Sequence, residues 1–160
     1  MFLTVHATLG VVIGEYVPNP ALAFLAGLAS HYIFDAIPHG DEKKLAGMSL
    51  MNMSWIATLD QAVLLVNFLL LFHYQHQPHP QLTPAVIAAI IGAILPDWVM
   101  ATHRLSEELN NKFARALHRF FDSLQNFHNY MHVRLIPYEI PFALGLTLQI
   151  IFLAWLWMII

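Results

Sequence analysis

Residues 140–160 read IPFALGLTLQIIFLAWLWMII, a run with no Asp, Glu, Lys, Arg or His. A helix needs roughly 20 largely apolar residues to cross a bilayer, and this stretch supplies them without interruption. Working back from it, four more apolar segments emerge, each broken by ionisable side chains: residues 2–16 with His6, 21–37 with His31 and Asp35, 55–72 with Asp60, and 84–101 with Asp97 directly after Pro96. The expectation is an all-α, polytopic membrane bundle of about five spanning helices, forming a single integral membrane domain over residues 1–160. Punctuation agrees. Pro18-Asn19-Pro20 separates the first two spans, Pro38-His39-Gly40-Asp41 ends the second, and Gln77-Pro78-His79-Pro80 follows the third, because proline stops one helix and is accepted in the first turn of the next. No Lys or Arg precedes the first apolar run, so a signal peptide is not expected there.

The composition fits a chain in lipid. Hydrophobic residues make up 58% and charged residues 11% of the 160, against about 45–50% and about 25% in soluble domains. That excludes intrinsic disorder. With 7 Lys+Arg against 10 Asp+Glu there is no basic field to hold phosphates along a strand, so nucleic acid is not an expected partner. The absence of Cys removes disulfides, thiolate metal sites and a Cys nucleophile.

Between residues 106 and 132 the pattern changes. Leu109, Phe113, Leu117, Phe120, Leu124, Phe127 and Met131 recur at spacings of three and four, with Lys112, Arg115, Arg119 and Asp122 opposite. This predicts an amphipathic helix on the membrane surface or over the other helices, with Ser106 as N-cap and Glu107 and Glu108 in its first turn. Lys43 and Lys44 lie between spans two and three, and the other five basic residues between spans four and five. With five spans both segments share one side, which the positive-inside rule makes cytoplasmic. The expected location is the inner (plasma) membrane, N-terminus inside and C-terminus outside.

An ionisable group inside a membrane costs at least ~2.5–3.5 kcal/mol and marks a functional candidate. In the expected topology His6, His31, Asp35, His39, Asp41, Asp60, Asp97, His128 and His132 all reach one layer near the cytoplasmic face. His31 and Asp35 stand at i and i+4, as do His128 and His132, so each pair stacks on one helix face. Imidazoles with carboxylates and no thiolate suit Zn²⁺, and also Mn²⁺ or Fe²⁺. Such a site activates water and clamps phosphoester oxygens, with Asp35 or Asp60 as general base or ligand. His73, His76 and His79 fall in the opposite loop, away from carboxylates, and are read as solvated. His103 and His118 are placed on the surface, and Glu15 at the outer interface.

The quoted motifs also resemble a family. His6-Ala7-Thr8-Leu9-Gly10, His31-Tyr32-Ile33-Phe34-Asp35 with Pro38-His39, and Gly92-Ala93-Ile94-Leu95-Pro96-Asp97 are similar to the H-x-x-x-G, H-x-x-x-D and G-x-x-x-P-D segments of the membrane-bound metal-dependent hydrolases. The H-x-x-x-D-x-x-P segment also resembles the all-helical, zinc-dependent phospholipase C and fungal nuclease superfamily. The resemblance implies metal binding by His6, His31, Asp35 and Asp97. The parts assigned to His39, Asp41, Asp60, His128 and His132 come from spacing and topology alone.

The expected activity is therefore a phospholipase-like, metal-dependent hydrolysis of a phosphoester at the cytoplasmic face, on a phospholipid or lipid-linked phosphate. Membrane lipid is the expected partner, and homo-oligomers are compatible with the chain. Two alternatives stand beside it: a small ion or proton transporter or channel subunit, and a non-catalytic membrane scaffold braced by His and Asp.

Overall fold

The structure, a computed structural model, describes residues 1–40, 48–74, 80–109, 111–135, 138 and 140–160. Among them are six α-helices: α1 (Leu3–Tyr16), α2 (Pro20–Asp35), α3 (Leu50–Leu69), α4 (Pro84–Glu108), α5 (Lys112–Asn129) and α6 (Phe142–Ile159). Single π-helical turns, Leu70–Tyr74 and Tyr130–Arg134, follow α3 and α5. The fold is all-α, and three helical stretches are long and apolar enough to cross a membrane: Leu50–His73, Pro84–Glu107 and Phe142–Ile159. At 14 and 16 residues, α1 and α2 fall short of the roughly 20 that a perpendicular crossing takes.

Polar side chains start the helices as the turn chemistry demands. Asn19 accepts from Ala21 N and Leu22 N ahead of Pro20, and Thr83 accepts from Val86 N ahead of Pro84. α1 has no cap of its own, since Phe2 occupies that position. Its amides are taken by other helices. Gln149 of α6 accepts from Phe2 N at 2.7 Å, and Asp60 of α3 accepts from Leu3 N at 2.6 Å and Thr4 N at 3.3 Å. In lipid an unpaired amide costs several kcal/mol, so these two side chains set where α1 begins. A second polar ladder ties the same helices deeper in: Trp157 donates to Asn67 at 2.8 Å, and Asn67 donates to Thr8 at 2.9 Å.

α4 is the central helix, and α1 and α2 pack along it. Small residues let the backbones approach, the usual solution where apolar burial gives no drive between helices. Ala23, Ala85 and Ala89 are buried together. A Cβ on Gly27 would meet the carbonyl of Ala89, and one on Gly92 would meet the carbonyl of Phe24. α3 and α6 lie against α1, with Leu64 and Leu156 buried, while Trp55, Leu59, Leu65, Ile150, Ile151 and Met158 face outward. An uncharged apolar outer surface of this kind matches a hydrocarbon solvent.

One boundary differs from expectation. α4 runs through to Glu108, so Ser106 lies inside it and its hydroxyl donates back to the His103 carbonyl at 2.6 Å. The amphipathic helix instead starts at Lys112, capped by Asn111, which accepts from Ala114 N at 2.8 Å. The hydroxyl that resembled an N-cap is satisfied by the preceding turn of its own helix. The other end differs too. Leu135 N donates to Tyr130 O across five residues, so the α-register assumed for His128 and His132 is broken by one residue between them.

Candidate metal centre

Three segments converge where α2 ends. His31 and Asp35 come from its last two turns, Asp97 from α4 just beyond Pro96, and His128 from the last turn of α5. One ligand atom from each of these four residues lies within 4.8 Å of the other three. His31 and Asp35 are fully buried, with side-chain exposure of 0% for each, and Asp97 is 16% exposed. Asp35 is the hub. Its Oδ2 is 3.0 Å from His31 Nε2 and 3.8 Å from His128 Nε2, and Asp97 Oδ1 is 3.9 Å from the same His31 nitrogen. On the other side, Oδ1 accepts from His6 Nε2 at 3.0 Å and from the α-amino group of Met1 at 2.7 Å. That amine also lies 2.6 Å from His39 Nε2.

In His31 and His39 the second ring nitrogen fixes what the first can do. A carbonyl only accepts, so His31 Nδ1, 2.8 Å from Ala93 O, carries a proton, and the neutral ring then presents a lone pair at Nε2. Proline lacks the N–H that would close on the Gly92 carbonyl, which opens that turn of α4 beside the Ala93 carbonyl that His31 uses. His31 Nε2 is buried and makes no hydrogen bond, although Asp35 Oδ2 is 3.0 Å away. That spacing is filled equally by a proton on the imidazole, as an ion pair with the carboxylate, or by a bound cation. His39 is held alike, its Nδ1 donating to Ile37 O at 2.7 Å, so Nε2 is its acceptor nitrogen. Burial pulls the His128 imidazole down to about 4, against the opposing pull of Asp35, so this ring is neutral near pH 7. An imidazole oriented through its far nitrogen, as His31 is, together with a second imidazole and two carboxylates, is a donor set found in metal sites. The group can hold a metal ion.

Of the residues expected in one layer, His6, His31, Asp35, His39, Asp97 and His128 are brought together. Asp60 is not in the four-residue group, although it lines the same groove as Asp97. Besides the two α1 amides, it accepts from the Thr4 hydroxyl at 2.6 Å. Asp41 lies outside the described residues, as do His76, His79 and the side chain of His132. His103 and His118 are not free surface groups: their rings stack at 3.9 Å. What the sequence did not reveal is the orienting shell of backbone carbonyls, because it depends on which turn of α4 faces α2.

The role of Asp60 is testable. Asp60→Ala is expected to lower stability by about 1–3 kcal/mol, the usual cost of orphaned buried donors, while metal content stays that of the unaltered chain. Thermal unfolding in detergent and elemental analysis measure the two. A loss of metal equal to that of His31→Ala would place Asp60 among the ligands.

No protein-family model, curated protein or solved structure matches the chain.

Proposed function

We propose that the chain is a five-span membrane protein carrying a zinc-dependent phosphoester hydrolase site at its cytoplasmic face. The observation that carries this reading is the His31–Asp35–Asp97–His128 group, one ligand atom of each lying within 4.8 Å of the others, with His31 Nε2 3.0 Å from Asp35 Oδ2. Hard oxygen and imidazole donors without sulfur favour zinc, with manganese or iron as alternatives. The likeness of the His6, His31 and Asp97 segments to membrane-bound metal-dependent hydrolases points to the same chemistry.

When bound, the ion supplies a Lewis acid that lowers the pKa of water and polarises a phosphoryl oxygen. The chain's own contributions are positional. Asp35 shares its two oxygens between the His31 side and the His6 side, which holds the ligand nitrogens at one spacing. Asp97, less enclosed than Asp35, is the carboxylate best placed to take a proton from water. Asp97 also lines a groove of about 360 Å³ between α3 and α4, whose walls include Phe2, Met53, Ile56 and Trp98. The groove is mainly apolar, with Asp60, Gln61 and Asp97 in its lining, and a mainly apolar groove that reaches one carboxylate of the ligand group fits an acyl chain with its phosphate toward the metal. This supports a phospholipid or lipid-linked phosphate as substrate.

All 7 Lys+Arg fall in two sequence segments, 43–44 and 104–134, which five spans would put on one side, and this supports an N-in topology. α1 and α2 then cross as short spans shielded by α3, α4 and α6.

The test is turnover. Protein purified in detergent and loaded with Zn²⁺ is expected to release phosphate or a phosphorylated headgroup from lipid micelles, and chelation should abolish the release. Stoichiometric zinc with no release from phospholipid or lipid phosphate substrates would overturn the hydrolase reading and leave a metal-braced scaffold.

A further inference from the structure

A second cluster sits where α5 folds back on the end of α4. His103 and Glu107 stand at i and i+4 on α4, and His118 and Asp122 at i and i+4 on α5, so each pair presents two donors on one face. A ligand atom from each of His103, Glu107 and His118 lies within 4.8 Å of the other two. The nitrogens converge on one oxygen. His103 Nε2 is 2.9 Å and His118 Nε2 3.5 Å from Asp122 Oδ1. The imidazoles lie face to face, 26° from parallel, an arrangement that disfavours charge on both rings. Glu107 is meanwhile paired with Arg104 at 2.7 Å.

Ser106 decides the tautomer of His118. Its hydroxyl proton goes to the His103 carbonyl. Toward His118 Nδ1, 3.2 Å away, the serine oxygen is therefore an acceptor, and Nδ1 carries the proton. The neutral His118 ring then has its lone pair at Nε2, 3.5 Å from Asp122 Oδ1. Ser106 is itself buried at 5% exposure, so this orientation is enforced rather than incidental. The hydrogen bond from His103 holds the Asp122 carboxyl below its usual value, and a cation can replace the shared proton.

We propose that His103, Glu107, His118 and Asp122 form a second transition-metal site that clamps α5 onto α4. Two imidazoles select a zinc-like ion over Mg²⁺ or Ca²⁺, and metal sites in helical bundles are commonly assembled from facing helices in this way. The clamp has a consequence for the first cluster. α5 carries His128 at its far end, so an ion here fixes the helix that delivers the fourth ligand there. Ser106 is a positioning residue.

The experiment counts metal, so its result does not depend on hydrolysis. Full-length protein in detergent is stripped by chelator, dialysed against Zn²⁺ and analysed for metal per chain. The His103→Gln/His118→Gln variant is expected to hold one equivalent fewer than the unaltered chain, and His31→Ala is expected to keep the equivalent that this variant loses. Ser106→Ala, which removes only the orienting hydroxyl, should weaken that equivalent by about 10–100-fold. Equal zinc in the double variant and the unaltered chain would overturn the proposal. Should the double variant fail to fold, an unchanged zinc titration of Ser106→Ala overturns it instead.

Discussion

Asp35→Ala is expected to strip the first cluster of its metal and to leave no metal-dependent phosphoester hydrolysis. Asp35 touches both halves of the site, through Oδ2 toward His31 and His128 and through Oδ1 toward His6 and the Met1 amine. It is 1% exposed, so water cannot take its place. Without the carboxylate, an amine and three imidazoles are left crowded around a neutral gap. Removing one partner of a buried ion pair costs about 3–5 kcal/mol, and the fold is expected to weaken by an amount of that order even in metal-free protein. Asp35→Asn separates the two effects. It keeps the volume and an acceptor oxygen while removing the charge, so it should fold better than the alanine variant yet bind metal poorly. Elemental analysis beside a size-exclusion profile gives the answer. Full metal retention in a folded Asp35→Asn protein would remove Asp35 from the ligand set.

The second large effect is expected from a residue that offers no donor. Gly92→Val places a branched side chain where α4 meets the Phe24 carbonyl of α2. The obstacle is backbone on both sides, so neither helix can yield by a rotamer change. Overpacking typically costs 1–3 kcal/mol, occasionally more, and about 3 kcal/mol is expected for an immovable neighbour. The damage reaches the metal because the next residue, Ala93, supplies the carbonyl that orients His31 at 2.8 Å. Separating α2 from α4 breaks that bond and frees the ring to turn. Ile91→Val is the control, since Ile91 is adjacent in sequence but 47% exposed, and it should change neither melting temperature nor zinc content. Zinc bound by Gly92→Val as well as by Ile91→Val would show that His31 does not depend on this crossing.

These residues also mark how far the sequence can be read. The apolar helices were legible because lipid demands long uncharged runs, and 142–159 contains one. His31 with Asp35 was legible because a four-residue spacing within one helix fixes two side chains on one face. Their convergence with Asp97 and His128 was expected from the topology that placed every Lys and Arg on one side. Asp60 shows the limit. Its depth resembled that of Asp97, but its partners are amides some 56 residues away in sequence, and no local pattern reports that α1 lacks a cap that α3 must supply. Ser106 was misread for a related reason. A Ser followed by two Glu looks like a helix start, and only the continuation of α4 to Glu108 reassigns it. The His103 and His118 pairs carried the same four-residue signature as His31 with Asp35, but polar surroundings hid it.

The unequal lengths of the helices bear on the membrane itself. At 1.5 Å per residue, α1 and α2 are about 21 and 24 Å long and α4 about 37 Å. A hydrocarbon layer of about 30 Å cannot be matched by all three at once. If α1 and α2 cross as proposed, thinning of the bilayer around the short pair is one way to meet the mismatch, and it would bring lipid headgroups toward the level of Asp35 and His31. Depth is then gained without a shaft through the protein. On the proposed function, a lipid phosphate would descend with the deformed leaflet, and the thickness of the surrounding membrane would help decide whether head and metal meet.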